Sequence, residues 1–168
     1  MLVSKLPQFP DFTISASLFS NIENGEDLVK DIANIPYSLI DTTLICSVEQ
    51  IYSAIYRVLV EYKFNRIKTK SINSELLLCL SQNSNITQNF KKFGINANTK
   101  NLVIVSILEN QINNDLNKEF NALLKGEEIE LNNENLQKIC DMKAIRKILT
   151  SNLMMIQILP RPLSMLFS

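Results

Sequence analysis

Between Phe12 and Leu18 the chain alternates strictly, with Phe12, Ile14, Ala16 and Leu18 apolar and Thr13, Ser15 and Ser17 polar. A period of two sends successive side chains to opposite faces and predicts a half-buried strand. Leu2 to Leu6 is a shorter β-prone stretch, and Pro7 and Pro10 bracket the break that follows it. Asn24-Gly25 marks a turn, after which Leu28, Ile32 and Ile35 predict a helix ended by Pro36. The clearest helical period starts at Val48, where Val48, Ile51, Tyr52, Ile55, Leu59 and Tyr62 fall on one stripe. Ser47 and Gln50 have the spacing of a capping box, and Arg57 and Glu61 are four apart and can pair.

Further along, Leu76 to Leu80 is a short unbroken apolar run, the length of a strand buried on both faces. Asn85 and Gln88 can cap a helix carrying Ile86, Phe90 and Phe93, and Gly94 stands where a helix C-cap glycine belongs. Leu102 to Ile107 predicts a second buried strand and Asp115 to Lys125 a helix stopped by Gly126. Glu127 to Leu131 reads as a short strand, followed by helices at Asn133 to Ile139 and Asp141 to Leu149. This alternation predicts one α/β (α+β) domain over residues 1–150, a small mixed β-sheet flanked by helices. Residues 151–168 form an atypical tail without acidic residues or helical period, and Pro160-Arg161-Pro162 cannot lie inside a helix.

Composition narrows the chemistry. A chain of 168 residues with 46 % apolar content can fold as one domain without metal or disulfide. Seventeen basic and seventeen acidic residues cancel, so nucleic-acid contact has to come from a local patch. There is no histidine, which removes the commonest general base and metal ligand. Three cysteines without C-x-x-C spacing argue against a zinc site and for a reducing compartment. The three glycines compose no phosphate-cradling loop. No apolar run approaches the ~20 residues of a membrane span, and the N-terminus lacks a secretory h-region. The expectation is a soluble cytosolic or nuclear protein with no catalytic residue, cofactor, metal or small-molecule substrate, working by binding partners.

Two clusters are candidates for that binding. The run Lys63, Arg66, Lys68 and Lys70 has no acidic residue between Tyr62 and Ser74 and is interleaved with Tyr62 and Phe64, a combination suited to RNA backbone contact and base stacking. Lys91 and Lys92 can extend it. The bland alternative is a solvated loop. Leu136, Ile139, Ile145, Ile148 and Leu149 lie on short helices, which bury little alone and often dock on a partner. Core packing is the weightier reading for any one of them. Cys79 sits in an apolar run and reads as inert core. Cys46, just before a helix start, is the more reactive candidate, although a structural role outweighs it.

The string from Leu44 to Ile95 resembles the central block of the PRPK-binding protein family, the TPRKB-like small subunits of the EKC/KEOPS complex, fungal type. The likeness rests on Ser47-x-Glu49-Gln50 before the helix, the Lys/Thr/Ser/Glu segment after it, and Leu80-Ser81 through Asn85-Ile86 to Lys92-Phe93-Gly94-Ile95. LVSKLPQFPDFTISASLF and KGEEIELNNENL resemble the flanking segments, so that residues 1–150 are covered. The resemblance implies a non-catalytic adaptor and allosteric subunit that binds an atypical kinase/ATPase. It further implies help in holding tRNA, including the 3′ acceptor end in archaeal relatives. Other subunits make N6-threonylcarbamoyladenosine at position 37 of tRNAs reading codons that begin with A. Nuclear and cytoplasmic residence, and telomere and transcription roles, come with the family. A free-standing small RNA-binding protein is the alternative.

The tail departs from the family, whose relatives continue with an acidic loop and a last helix carrying a D/N-A-I motif. Read from the third base of each codon, Leu153 to Ile156 becomes a run of Asp, since each Met supplies G and the next codon AT. Ser164 to Phe167 can likewise become Asn-Ala-Ile. The tail is therefore expected to be a shifted reading frame after about Asn152, against the alternative of a lineage-specific ending. Sequencing the transcript decides between them.

Overall fold

A computed structural model describes residues 1–81 and 85–151. The frame-shift reading concerns residues 152–168, which lie outside the described residues. Strand β1 (Leu2–Leu6) turns at Pro7-Gln8 into β2 (Phe9–Ser20), its antiparallel neighbour. Pro10 thus lies inside β2 rather than in the break. It is tolerated because the ladder to β1 is irregular between Ser4 and Leu6, and pairing on the other edge begins only at Phe12. Strands β3 (Ser38–Asp41), β4 (Leu102–Glu109) and β5 (Glu127–Ile129) complete the sheet.

The order is β1-β2-β4-β3, and β5 also pairs with β2. Because β4 occupies one edge of β2 from Phe12 to Phe19, β1 and β5 share the other, end to end. Every pairing among the described residues is antiparallel. The expected α+β class stands, but the sheet is antiparallel where a mixed one was expected. The reason is topological: β2 and β3 run the same way, and β4 inserts between them.

Helices α1 (Gly25–Lys30), α2 (Val48–Lys63), α3 (Ile72–Cys79), α4 (Ile86–Phe93), α5 (Leu116–Leu123), α6 (Asn133–Ile139) and α7 (Met142–Ser151) surround the sheet. One face packs Ile14, Ala16, Leu18, Val103 and Val105 against α2, α3 and Leu136 of α6. The other packs Phe19, Leu39, Leu102 and Ile104 against Leu28 of α1 and Leu116 and Phe120 of α5. Ser15 and Ser17 are buried on this second face, so β2 is covered on both sides rather than half-buried. Alternation of apolar with small polar residues marks two faces but does not say that one is wet.

The apolar run at Leu76 is helix α3, not a strand. A short apolar run is ambiguous by period. What decides is the cap: Ser71 Oγ accepts from Ser74 N at 3.1 Å, fixing a helix start four residues earlier than the run itself. The predicted helix before Pro36 is interrupted, with α1 ending at Lys30 and a 3₁₀ turn following at Ile32–Asn34. Leu28 and Ile35 are buried, but Ile32 is exposed. The four-residue β3 behind it was not anticipated. Ser47 caps α2 by accepting from Gln50 N at 3.2 Å, while the Gln50 side chain turns to Cys46 N and Leu44 O instead of closing the box. Arg57 donates to Cys79 O at 2.9 Å rather than to Glu61. Gly94 has φ −74°, not the left-handed conformation of a C-cap glycine. It is required because a Cβ there would stand 2.4 Å from Phe90 O, where the chain turns back to bridge Ile40.

Candidate functional site

The basic segment between α2 and α3 is a built loop. The end of α2 closes with Asn65 in the left-handed region at φ 53°. Asn65 N donates to Tyr62 O at 3.1 Å and Arg66 N to Glu61 O at 2.8 Å, the paired bonds of a Schellman cap with Asn in the glycine position. Beyond it the loop wraps a buried carboxylate. Glu75 Oε2 accepts from Lys68 N at 3.1 Å, Thr69 N at 3.0 Å and Thr69 Oγ1 at 2.8 Å. Three donors on one oxygen offset the desolvation of a side chain only 2 % exposed.

These two devices divide the cations that the sequence places in one run. At the α2 end, Lys63 Nζ lies 5.9 Å over the Phe9 ring. Arg66 stacks 5.3 Å over Phe64 and pairs with Glu61 at 3.1 Å. Phe9 packs edge-on to Tyr56, and Tyr62 donates to Glu109 at 3.1 Å. Lys68 is exposed, while its backbone is held by Glu75. Lys70, at the start of α3, lines a separate groove. Lys91 and Lys92 are exposed on the last turn of α4, the helix that supplies Phe90 to that groove. The structure therefore places Lys70 on one surface with the helix bearing Lys91 and Lys92, and puts Lys63 and Arg66 on another.

The groove has a volume of about 470 Å³ and runs between β3, the turn after α1, and helices α3 and α4. Ile32, Leu39, Leu77 and Phe90 make it apolar; Tyr37, Lys70, Ser71 and Asn73 add hydrogen-bonding groups. Tyr37 is fixed: its ring stands edge-on to Phe120 at 5.1 Å, and its hydroxyl donates to Glu119. Burial first, and the Glu119 carboxylate next, push the Tyr37 hydroxyl up to about 12. The same bond, with a second from Asn113, holds the Glu119 carboxyl below its usual range. Ser38 Oγ donates to Asn73 O at 3.1 Å across the floor. Sequence reasoning missed this site because Tyr37 and Asn73 belong to no periodic pattern and meet only through the unanticipated β3.

The C-terminal candidates separate as well. Leu136 is fully buried in the core, so it anchors α6 and offers no surface. Ile139 packs against the same core. Ile145 and Ile148 are half-buried on α7. The side chain of Leu149 lies outside the described residues. The unit α6–α7 docks on the start of α2. Asn133 Oδ1 accepts from Val48 N at 2.8 Å, Asn133 Nδ2 donates to Glu49 at 3.2 Å, and Asp141 N donates to Thr43 O at 2.8 Å. Burial pushes the Cys79 thiol up from 9.0 to about 11, with Arg57 acting in the opposite direction, which agrees with its reading as core. Among the described residues no cluster of His, Cys, Asp or Glu could hold a metal, and no helix is long and apolar enough to cross a membrane.

Residues 19–156 match the family model of the kinase binding protein CGI-121. The chain is 39 % identical over 153 residues to the EKC/KEOPS complex subunit CGI121 of Candida glabrata, covering 91 % of this chain and 87 % of that protein. It is 36 % identical over 151 residues to the subunit of the same name from Eremothecium gossypii, covering 88 % and 84 %. To that of Schizosaccharomyces pombe it is 31 % identical over 146 residues, covering 84 % of each. The likeness to the fungal PRPK-binding proteins seen in the sequence motifs thus extends over nearly the whole sheet and its helices, and this chain belongs to the CGI-121 family of kinase-binding proteins.

Proposed function

We propose that this protein is a non-catalytic subunit of an EKC/KEOPS-type complex, where it binds the atypical kinase subunit and helps hold substrate tRNA for N6-threonylcarbamoyladenosine formation at position 37. The observation that carries this reading is the family match across residues 19–156, together with relatives named as subunits of that complex. The chemistry belongs to partner subunits; this chain contributes binding surfaces. The kinase meets Ile145 and Ile148 on α7, with Ile139 and Leu136 beneath as support. The tRNA meets the groove at Lys70 and extends to the exposed Lys91 and Lys92 on the last turn of α4, with Lys63, Arg66 and Lys68 nearer the flank. A concave apolar site with an aromatic ring and one cation suits an unpaired RNA end better than a duplex. Nuclear and cytoplasmic residence, and a share in telomere maintenance and transcription, follow from the same reading.

A free-standing RNA-binding protein is the second reading, favoured by the patch of Phe64, Tyr62, Lys63 and Arg66 at the end of α2. Affinity for tRNA separates the two. A subunit binds weakly alone and gains strongly inside the complex; a solitary binder shows full affinity and a steep salt dependence by itself. Co-purification with the cognate kinase subunit tests the first reading, and failure of the two chains to associate overturns it.

A further inference from the structure

Two thiols face the seam where α6–α7 docks on the rest of the molecule. Cys140 is the C-cap of α6, and Cys46 immediately precedes Ser47, the N-cap of α2. The backbone on both sides of Cys46, and just after Cys140, is tied across the seam. The residue after Cys140, Asp141, donates its N–H to Thr43 O at 2.8 Å, three residues before Cys46. Two residues after Cys46, Val48 N donates to Asn133 Oδ1 at 2.8 Å. Neither sulfur is held by a strong partner. Cys46 Sγ is 3.8 Å from Gln50 Oε1, and Cys140 Sγ is 3.6 Å from Gln137 O and 3.4 Å from Met142 Sδ. Both cysteines are half-buried, whereas Cys79 is buried. Burial first, and Cys46 next, raise the Cys140 thiol.

We propose that Cys46 and Cys140 are a redox clasp: oxidation joins them in an internal disulfide that locks α6–α7 onto the start of α2, and reduction frees it. The oxidant is a small disulfide of the glutathione type. Cys46, having lost its proton to solvent, attacks one sulfur of glutathione disulfide; the S–S bond breaks and one glutathione thiolate leaves. Cys140, deprotonated in turn, attacks the Cys46 sulfur of the mixed disulfide and expels the second glutathione thiolate. The two released protons end on the two glutathiones. Two protein thiols are thereby oxidised and one glutathione disulfide is reduced. Cys140 takes the second step, since burial raises its thiol and disfavours the thiolate that would attack first. The hydrogen bonds of the seam keep the two chain segments together, which a disulfide needs, since its Cα atoms must approach to about 4.4–6.8 Å. The loop closed runs from 46 to 140 and includes helices α2 to α6 with strands β4 and β5, so the bond restricts a long stretch of the unfolded chain. The clasp rests on the seam alone and not on the kinase reading.

The test uses the full chain under native conditions with glutathione disulfide, followed by a non-reducing peptide map by mass spectrometry. The expected product joins the Cys46 peptide to the Cys140 peptide, leaves Cys79 a free thiol, and reverts with dithiothreitol. Oxidation should raise the midpoint of thermal unfolding by several degrees, in keeping with about 4–8 °C per stabilising increment in small domains and somewhat less at this size. C46S and C140S should each carry one glutathione adduct and show no such shift. Separate glutathione adducts on Cys46 and Cys140 in the unmutated chain, a link through Cys79, or a link between two chains would each overturn the proposal. The map of the unmutated chain decides this even if a variant fails to fold.

Discussion

Lys63 and Arg66, at the end of α2, and Lys70, at the start of α3, belong to one basic run but to two different surfaces. The first two already have partners: Lys63 lies over Phe9, and Arg66 is sandwiched between Phe64 and Glu61. Lys70 lines a concave site whose other side carries Phe90 of α4, and Lys91 and Lys92 follow in the last turn of that helix. An exposed cation that is already paired contributes little to a new ligand, because binding must first break what it has. The difference teaches that a charge run marks where a surface is cationic, and that the fold decides which of its members remain available. Glu75 is the device that makes the division, since it turns the loop between the two surfaces.

Breaking the anchors of either region should have the largest effect. Leu136→Ala opens a cavity under the seam and should cost about 2–5 kcal/mol in denaturant unfolding. It should loosen α6–α7 and leave the groove intact. Next, Glu75→Ala leaves two backbone N–H groups and a hydroxyl without their acceptor. It should cost about 2 kcal/mol and raise amide exchange at Lys68 and Thr69. If exchange there is unchanged, the loop is not held by this carboxylate and the division has another origin.

A smaller and more pointed effect is expected in tRNA binding by the assembled complex. Lys70→Gln with Lys91→Gln should reduce the salt slope of affinity by up to about two. Lys63→Gln with Arg66→Gln should reduce it less, because those cations are engaged within the chain. Equal slopes for the two double variants would erase the contrast. The least effect should appear at alkaline pH. The Tyr37 hydroxyl, ordinarily near 10.0, is raised to about 12 in the folded chain. Its contribution is therefore fully present below pH 10.0 and is lost as pH rises through 12. Tyr37→Phe should flatten the fall of the unfolding midpoint over that window, and an unchanged pH profile would show that the Glu119 bond does not hold the groove wall.

Much of the core could be read from the chain because its signals are local. The α2 stripe, the LVIVSI strand and the Asn85 cap each need only neighbours in sequence to be read, and all three are found where expected. What failed depended on distant partners. Leu76 to Leu80 could not be told from a strand until Ser71 was seen to cap it. Ser15 and Ser17 gave no hint of the helices that cover them. The basic run was legible as a run, but its partition was not, because Phe9 and Glu75 act on it through the fold. The groove was invisible for the same reason: its walls come from three separate stretches of chain.

The measurement closest to the centre of this account is the affinity of the purified chain for its cognate atypical kinase subunit, taken with an α7 variant and a groove variant side by side. The account predicts stable association of the unmutated chain. It predicts a loss of about tenfold or more with Ile145→Glu or Ile148→Glu, each folded normally, and no change with Lys70→Gln. Absence of association by the unmutated chain, or α7 variants that fold and bind the kinase as tightly as the original, would contradict it.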